Sequence, residues 1–172
     1  MIVHHSIRVR ASAKEIYPML LEWGMGDWWP EGSRLRCVGF SQAREVVGTR
    51  YRCGISGLLG FSWDAEVVSS SAGREISRKL SGALEGVERL YLIPGRDTCE
   101  VHVLSDFRLG SGVKGFIWNL ALARAHESAV RDALAALRWR IEGTEDGDGT
   151  DMQQSDPMDS DRRRFLKSLI RR

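Results

Sequence analysis

The sequence predicts an α+β domain in which a curved antiparallel sheet of six to seven strands wraps around a long C-terminal helix, with two short helices after the first strand. Three observations carry this reading. Short strand-like runs follow one another at regular spacing with turn chemistry between them, which implies antiparallel neighbours because parallel strands need long crossovers. One stretch of helical period closes the domain, from about Val113 to Glu142. A capped helical segment and a Trp/Pro-rich turn separate the first strand from the others. A single helix cannot fill the concave side of such a sheet, so a cavity is expected between them.

Each element follows from its residues. Val3 to Arg10 alternates, with Val3, His5, Ile7 and Val9 on one face. Ser12 and Glu15 have capping-box spacing, so each side chain satisfies a free backbone N–H of the other. Ile16, Tyr17 and Leu20 continue that helix, which Pro18 should kink or shorten. Gly24 and Gly26 break the chain before Asp27-Trp28-Trp29-Pro30, read as a second short helix or turn. Strands are then predicted over Arg34–Phe40, Glu45–Cys53, Phe61–Ser70, Arg74–Ser81, Gly86–Ile93 and Thr98–Leu109. Gly57-Leu58-Leu59-Gly60, Ser71-Ala72-Gly73 and Pro94-Gly95-Arg96-Asp97 separate them as turns. In the last helix Phe116, Leu120, Ala123, Val130, Leu134, Leu137 and Ile141 form one apolar stripe, with Gly143 as C-cap.

At 172 residues the chain suits one domain with a sizeable core. No apolar run approaches the ~20 residues of a membrane span. Met1-Ile2-Val3-His4-His5 lacks the basic and apolar regions of a secretory signal. Cys37, Cys53 and Cys99 are dispersed and odd in number, which predicts reduced core thiols and a cytoplasmic location. The net charge of +2 hides an asymmetry. Thr144 to Asp161 holds seven acids and no base, whereas Arg162 to Arg172 holds six bases and no acid. The chain therefore divides into a domain at 1–143, an acidic linker at 144–161 expected to be disordered, and a basic amphipathic tail at 162–172.

The order of these elements, and several local words, resemble the START-like or helix-grip superfamily (SRPBCC), within it the polyketide cyclase/dehydrase and lipid-transport group. The words are Ala11-Ser12-Ala13-Lys14-Glu15-Ile16-Tyr17, Trp29-Pro30, Val47-Gly48-Thr49-Arg50-Tyr51, Ala65-Glu66-Val67-Val68 and Leu92-Ile93-Pro94-Gly95-Arg96-Asp97-Thr98. With the final helix they span about Val3 to Glu142. The resemblance implies a sheet gripping that helix, with a cavity whose mouth lies near the first helices. Pro18, the Gly24-Met25-Gly26 turn and the segment from Thr144 onward depart from the family pattern.

Candidate ligand-binding residues are those whose polar or aromatic groups fall on faces turned toward the cavity. Asn119 and His126 stand seven apart on one edge of the helical stripe, where His126 would act as a base and Asn119 would orient a carbonyl. The alternative keeps His126 partly exposed and pairs Glu127 with Arg124 and Arg131. Arg78 stands among Ile76 and Leu80, and Arg89 among Val87 and Tyr91. An Arg so placed either snorkels or binds an oxygen inside the pocket. Ser105 lies on the apolar face of the last strand, with His102, Asp106 and Arg108 on the opposite, solvent face. Trp28 and Trp29, with Trp23, form either a core plug or an aromatic lip for a flat ligand.

No nucleotide-binding, hydrolase or metalloprotease motif is present, and His4-His5 is too isolated for a metal, so no cofactor and no metal are expected. The expected function is binding or transport of a small hydrophobic ligand such as a lipid, quinone or polyketide-like aromatic. A cyclase or dehydratase working by acid–base chemistry is the alternative. A third reading docks Arg162–Arg172 on an anionic membrane surface or a partner protein. There is no specific nucleic-acid signal.

Overall fold

The computed structural model describes residues 1–39, 47–55, 61–109 and 116–143, with side chains of 116–123 excepted. Within these residues the order is β1 (Ile2–Val9), α1 (Ala13–Leu21), β2 (Leu35–Gly39), β3 (Arg50–Ile55), β4 (Ser62–Ser71), β5 (Glu75–Gly82), β6 (Leu84–Pro94), β7 (Cys99–Leu109) and α2 (Phe116–Glu142). The strands form one antiparallel sheet in the order β1-β7-β6-β5-β4-β3-β2. Because β1 and β2 occupy opposite edges, α1 and the chain after it must cross the sheet's open side. The linker, the basic tail, the Gly57–Gly60 turn and the expected helix start at Val113 lie outside the described residues.

α1 begins as its residues dictate. Ser12 caps it by accepting from the Glu15 backbone N–H, and the Ser12 N–H donates to Glu15 Oε2 at 2.8 Å. The helix passes through Pro18 and ends three residues later, burying Ile16, Tyr17, Leu20 and Leu21. The second expected short helix is absent. Single turns replace it: Gly26 N–H donates to Glu22 O, Trp29 N–H to Gly26 O, and Ser33 N–H to Pro30 O. Gly24, at φ +87°, comes so close to β2 that a Cβ would lie 2.7 Å from Cys37 Sγ. That close approach, rather than looseness, explains the glycine.

α2 lies against β1 and β7 and buries Ala129, Val130, Ala133, Leu134 and Leu137. Its end is fastened by Glu142, which accepts from the Arg10 backbone N–H at 2.7 Å and from Arg138 Nε at 2.8 Å. Gly143 takes the expected C-cap conformation at φ +76°. The predicted strand Glu45–Cys53 starts later, at Arg50. Gly48, at φ +95°, turns the chain there and its N–H donates to Val67 O.

One cysteine expectation is overturned. The β2–β3 register sets Cys37 opposite Cys53, and the two form a disulfide with Cα atoms 4.1 Å apart. Cys99 is a free, buried thiol. Spacing along the chain could not show this, because the pairing is made by strand register.

β6 and β7 approach each other closely at Gly86, which faces Phe107. Gly86 sits at φ +156°, and a Cβ there would lie 2.1 Å from Asp106 O. Gly86→Ala is therefore expected to cost about 1–3 kcal/mol in denaturant unfolding. A change below about 0.5 kcal/mol would show that a side chain at position 86 is accommodated against β7.

Candidate functional site

The register builds a polar row inside an otherwise apolar face. β5 pairs Arg78 with Glu88 of β6, and β6 pairs Glu88 with Ser105 of β7. Their neighbours on the same faces, Ile76, Leu80, Leu90, Leu92, Val103 and Phe107, are buried. His126 reaches the row from α2. Arg78, Glu88, Ser105 and His126 are all buried, Arg78 and His126 at 1% exposure.

Glu88 is the centre. Its Oε2 lies 3.8 Å from Arg78 Nη1 and its Oε1 lies 3.9 Å from His126 Nε2. Ser105 Oγ donates to Oε1 at 3.3 Å. Arg78 also ties the row to the crossing segment: Nη2 donates to Leu20 O at 3.3 Å and Nη1 to Trp23 O at 3.5 Å. Its guanidinium carbon stands 5.1 Å from the centre of the Tyr51 ring, a favourable cation–π placement. The Phe107 ring packs on His126 at 5.1 Å.

Burial governs the proton affinities here. It pushes the Glu88 carboxyl upward, while Arg78 and the Ser105 hydrogen bond pull it back. Burial lowers Arg78, and Glu88 counters that. His126 falls to about 4, first through burial and then through the nearby charge of His5. An arginine keeps its proton in a protein, so the pair is best described as guanidinium and carboxylate beside a neutral imidazole. Arg78 Nε and His126 Nδ1 have no hydrogen-bond partner among the described residues.

The expected site residues divide between two sides of the sheet. Arg78, Ser105 and His126 come together on the inner face. Arg89 and Tyr91 do not join them, because the alternation of β6 sends Glu88, Leu90 and Leu92 inward and Arg89 and Tyr91 outward. Tyr91 instead stacks on His102 with ring centres 4.7 Å apart, and His102 Nδ1 lies 3.1 Å from His4 Nε2. His102 keeps the expected outer face but is covered by these rings. Arg89 lines an open outer hollow of about 870 Å³ with Lys79, Val87, Leu104, Asp106 and Arg108. That hollow lies across the sheet from Glu88. The inner row is the stronger candidate, because its polar groups are withdrawn from water and two have no partner among the described residues.

Trp29 is a packed plug: it is buried, and its Nε1–H donates to Leu35 O at 2.7 Å. Trp23 is buried against it with ring centres 5.0 Å apart. Trp28 touches both and keeps a partly exposed face. The side chain of Asn119 lies outside the described residues. Of the two partners expected for Glu127, Arg131 forms the pair, with Nη2 3.7 Å from Oε1; His5 Nε2, not expected, lies 3.8 Å from the same oxygen. Among the described residues no group of three His, Cys, Asp or Glu side chains is placed to hold a metal ion, and no helix is long and apolar enough to cross a membrane.

No protein-family model and no curated protein sequence matches this chain. Solved structures do. A START superfamily protein from Mycobacterium smegmatis is 18% identical over 82% of this chain and 97% of its own, with a TM-score of 0.60. The Aha1 dimer protein of Colwellia psychrerythraea is 16% identical over 83% of this chain and 96% of its own, with a TM-score of 0.56. Norcoclaurine synthase from Thalictrum flavum, solved with dopamine and hydroxybenzaldehyde, is 13% identical over 83% of this chain and 86% of its own, with a TM-score of 0.59. Identities this low speak for architecture and not for activity. The seven-stranded sheet curled against one C-terminal helix, with a short helix after the first strand, is the START-like helix-grip fold.

Proposed function

We propose that the protein binds a small, mainly apolar molecule on the inner face of its sheet, between the sheet and α2. The observation that carries this is the row Arg78–Glu88–Ser105 with His126, buried in an apolar interior while Arg78 Nε and His126 Nδ1 lack partners among the described residues. Small-molecule sites pair apolar walls with a few convergent polar groups, and this row offers both. A solved relative by fold, norcoclaurine synthase, holds small aromatic molecules, which supports the same use of the architecture here. Trp28 contributes an aromatic surface at the rim, and Trp29 holds that segment in place.

The test is a fluorescence titration with N-phenyl-1-naphthylamine, a neutral apolar probe. Saturable one-to-one binding is expected. Trp28→Ala should weaken it by about tenfold, as loss of one aromatic contact would, with little change in stability. Trp29→Ala should instead cost about 3–5 kcal/mol of stability, as for other buried aromatics. A probe that does not bind, or that binds Trp28→Ala as it does the parent, contradicts this reading.

One observation favours a second reading, acid–base catalysis of the cyclase or dehydratase kind. His126 is unprotonated at neutral pH, its Nδ1 is open, and Glu88 stands behind it, as a general base requires. The two readings separate by mass: a binder returns the molecule it was given, whereas an enzyme returns one altered by loss of water or by ring closure.

A further inference from the structure

Resting on that binding reading, we infer that the interior site selects a neutral apolar molecule carrying a carbonyl oxygen, a ketone or quinone, and disfavours carboxylates and ammonium ions of the same shape. The selection follows from the charges already fixed in the row. Arg78 is a permanent cation buried at 1% exposure, and Glu88, 3.8 Å away, is its counter-charge. The pair sums to zero. A ligand carboxylate would add a second anion beside Glu88, and a ligand ammonium a second cation beside Arg78. Either is an uncompensated charge in a medium that solvates it poorly.

The unpartnered atoms specify the polar group the ligand should bring. Arg78 Nε is a donor without an acceptor among the described residues, on the side chain whose Nη1 faces Glu88. His126 Nδ1 has no partner among the described residues either, but on a neutral ring whose Nε2 faces the same carboxylate it is itself an acceptor. The two open nitrogens thus belong to side chains that approach Glu88 from β5 and from α2. Glu88 Oε1 already accepts from Ser105, so the N–H of Arg78 Nε is the donor in the row that calls for an acceptor from the ligand. A carbonyl oxygen supplies one and adds no charge, whereas a hydrocarbon leaves the Arg78 N–H unsatisfied.

Isothermal titration of the full chain with four molecules of one scaffold tests this: 2-acetylnaphthalene, 2-ethylnaphthalene, 2-naphthoic acid and 2-(aminomethyl)naphthalene. The ketone should bind at least about tenfold tighter than the other three, as sites built to meet a substrate's polar group discriminate. In Arg78→Met/Glu88→Leu, which removes both charges together, the ketone should lose this advantage while 2-ethylnaphthalene still binds. If that variant does not fold, the ranking in the parent protein decides. Equal or tighter binding of the acid or the amine overturns the inference, as does a ketone preference that survives the double substitution. Failure of all four to bind the folded protein, hydrocarbon included, refutes the interior binding reading itself.

Discussion

Glu88→Ala should lower the unfolding free energy by about 3–5 kcal/mol, because it strands a buried guanidinium without its counter-charge. Arg78 cannot escape by losing its proton, and at 1% exposure it cannot reach water without moving the segment it holds. Two of its hydrogen bonds go to Leu20 O and Trp23 O, so the same substitution should loosen the end of α1 and the Trp turn. Faster amide exchange over residues 20–29 is the expected signature. Arg78→Met/Glu88→Leu should recover most of the loss, since a buried ion pair replaced whole by apolar residues is often neutral in stability. A single Glu88→Ala variant as stable as the parent would mean that Arg78 finds another partner, and the inner row would lose its electrostatic basis.

His126 should make stability pH-dependent. In the folded chain its proton affinity is depressed from 6.5 to about 4 by burial and by His5. A base depressed in this way contributes stability that is fully present above 6.5 and lost as pH falls toward 4, because the unfolded chain takes up the proton first. Between pH 7 and pH 4.5 this one residue should account for about 2–3 kcal/mol. His5 is also lowered and adds in the same direction, whereas Glu88, raised by burial, opposes it. Comparing His126→Gln with the parent at both pH values isolates the His126 part. A parent and variant with parallel pH profiles would contradict a buried, neutral imidazole.

Much of the architecture is legible in the residues. The capping box of Ser12 and Glu15, the turn-separated strands and the final amphipathic helix each have a local cause, and each forms. What local pattern cannot carry is register and phase. Along β6 the run Gly86–Ile93 alternates acceptably in either phase, and Val87, Arg89 and Tyr91 make a plausible inward set. The actual inward set is Glu88, Leu90 and Leu92. Leu84, Leu90 and Leu92 share one parity along the strand, and that signal would have drawn Glu88 inward with them. Glu88, the residue on which Arg78, Ser105 and His126 converge, is the one sequence reasoning missed.

The cysteines teach the same point. Cys37 and Cys53 lie 16 apart, a separation that suggests no pairing, until antiparallel register sets them side by side. The Trp segment, legible as a short helix or a turn, forms turns, and Gly24 before it stands where β2 approaches. Trp29 could not be told from a ligand-stacking residue until its indole N–H was seen to reach Leu35 O.

The central claim, an interior site for a small apolar molecule, is tested most directly by native mass spectrometry of the full chain, freshly purified and then incubated with N-phenyl-1-naphthylamine. A one-to-one adduct of a few hundred daltons is expected, either carried through purification or formed with the probe, and released when the protein is denatured. The bare chain mass under both conditions, from protein shown to be folded, would contradict the account.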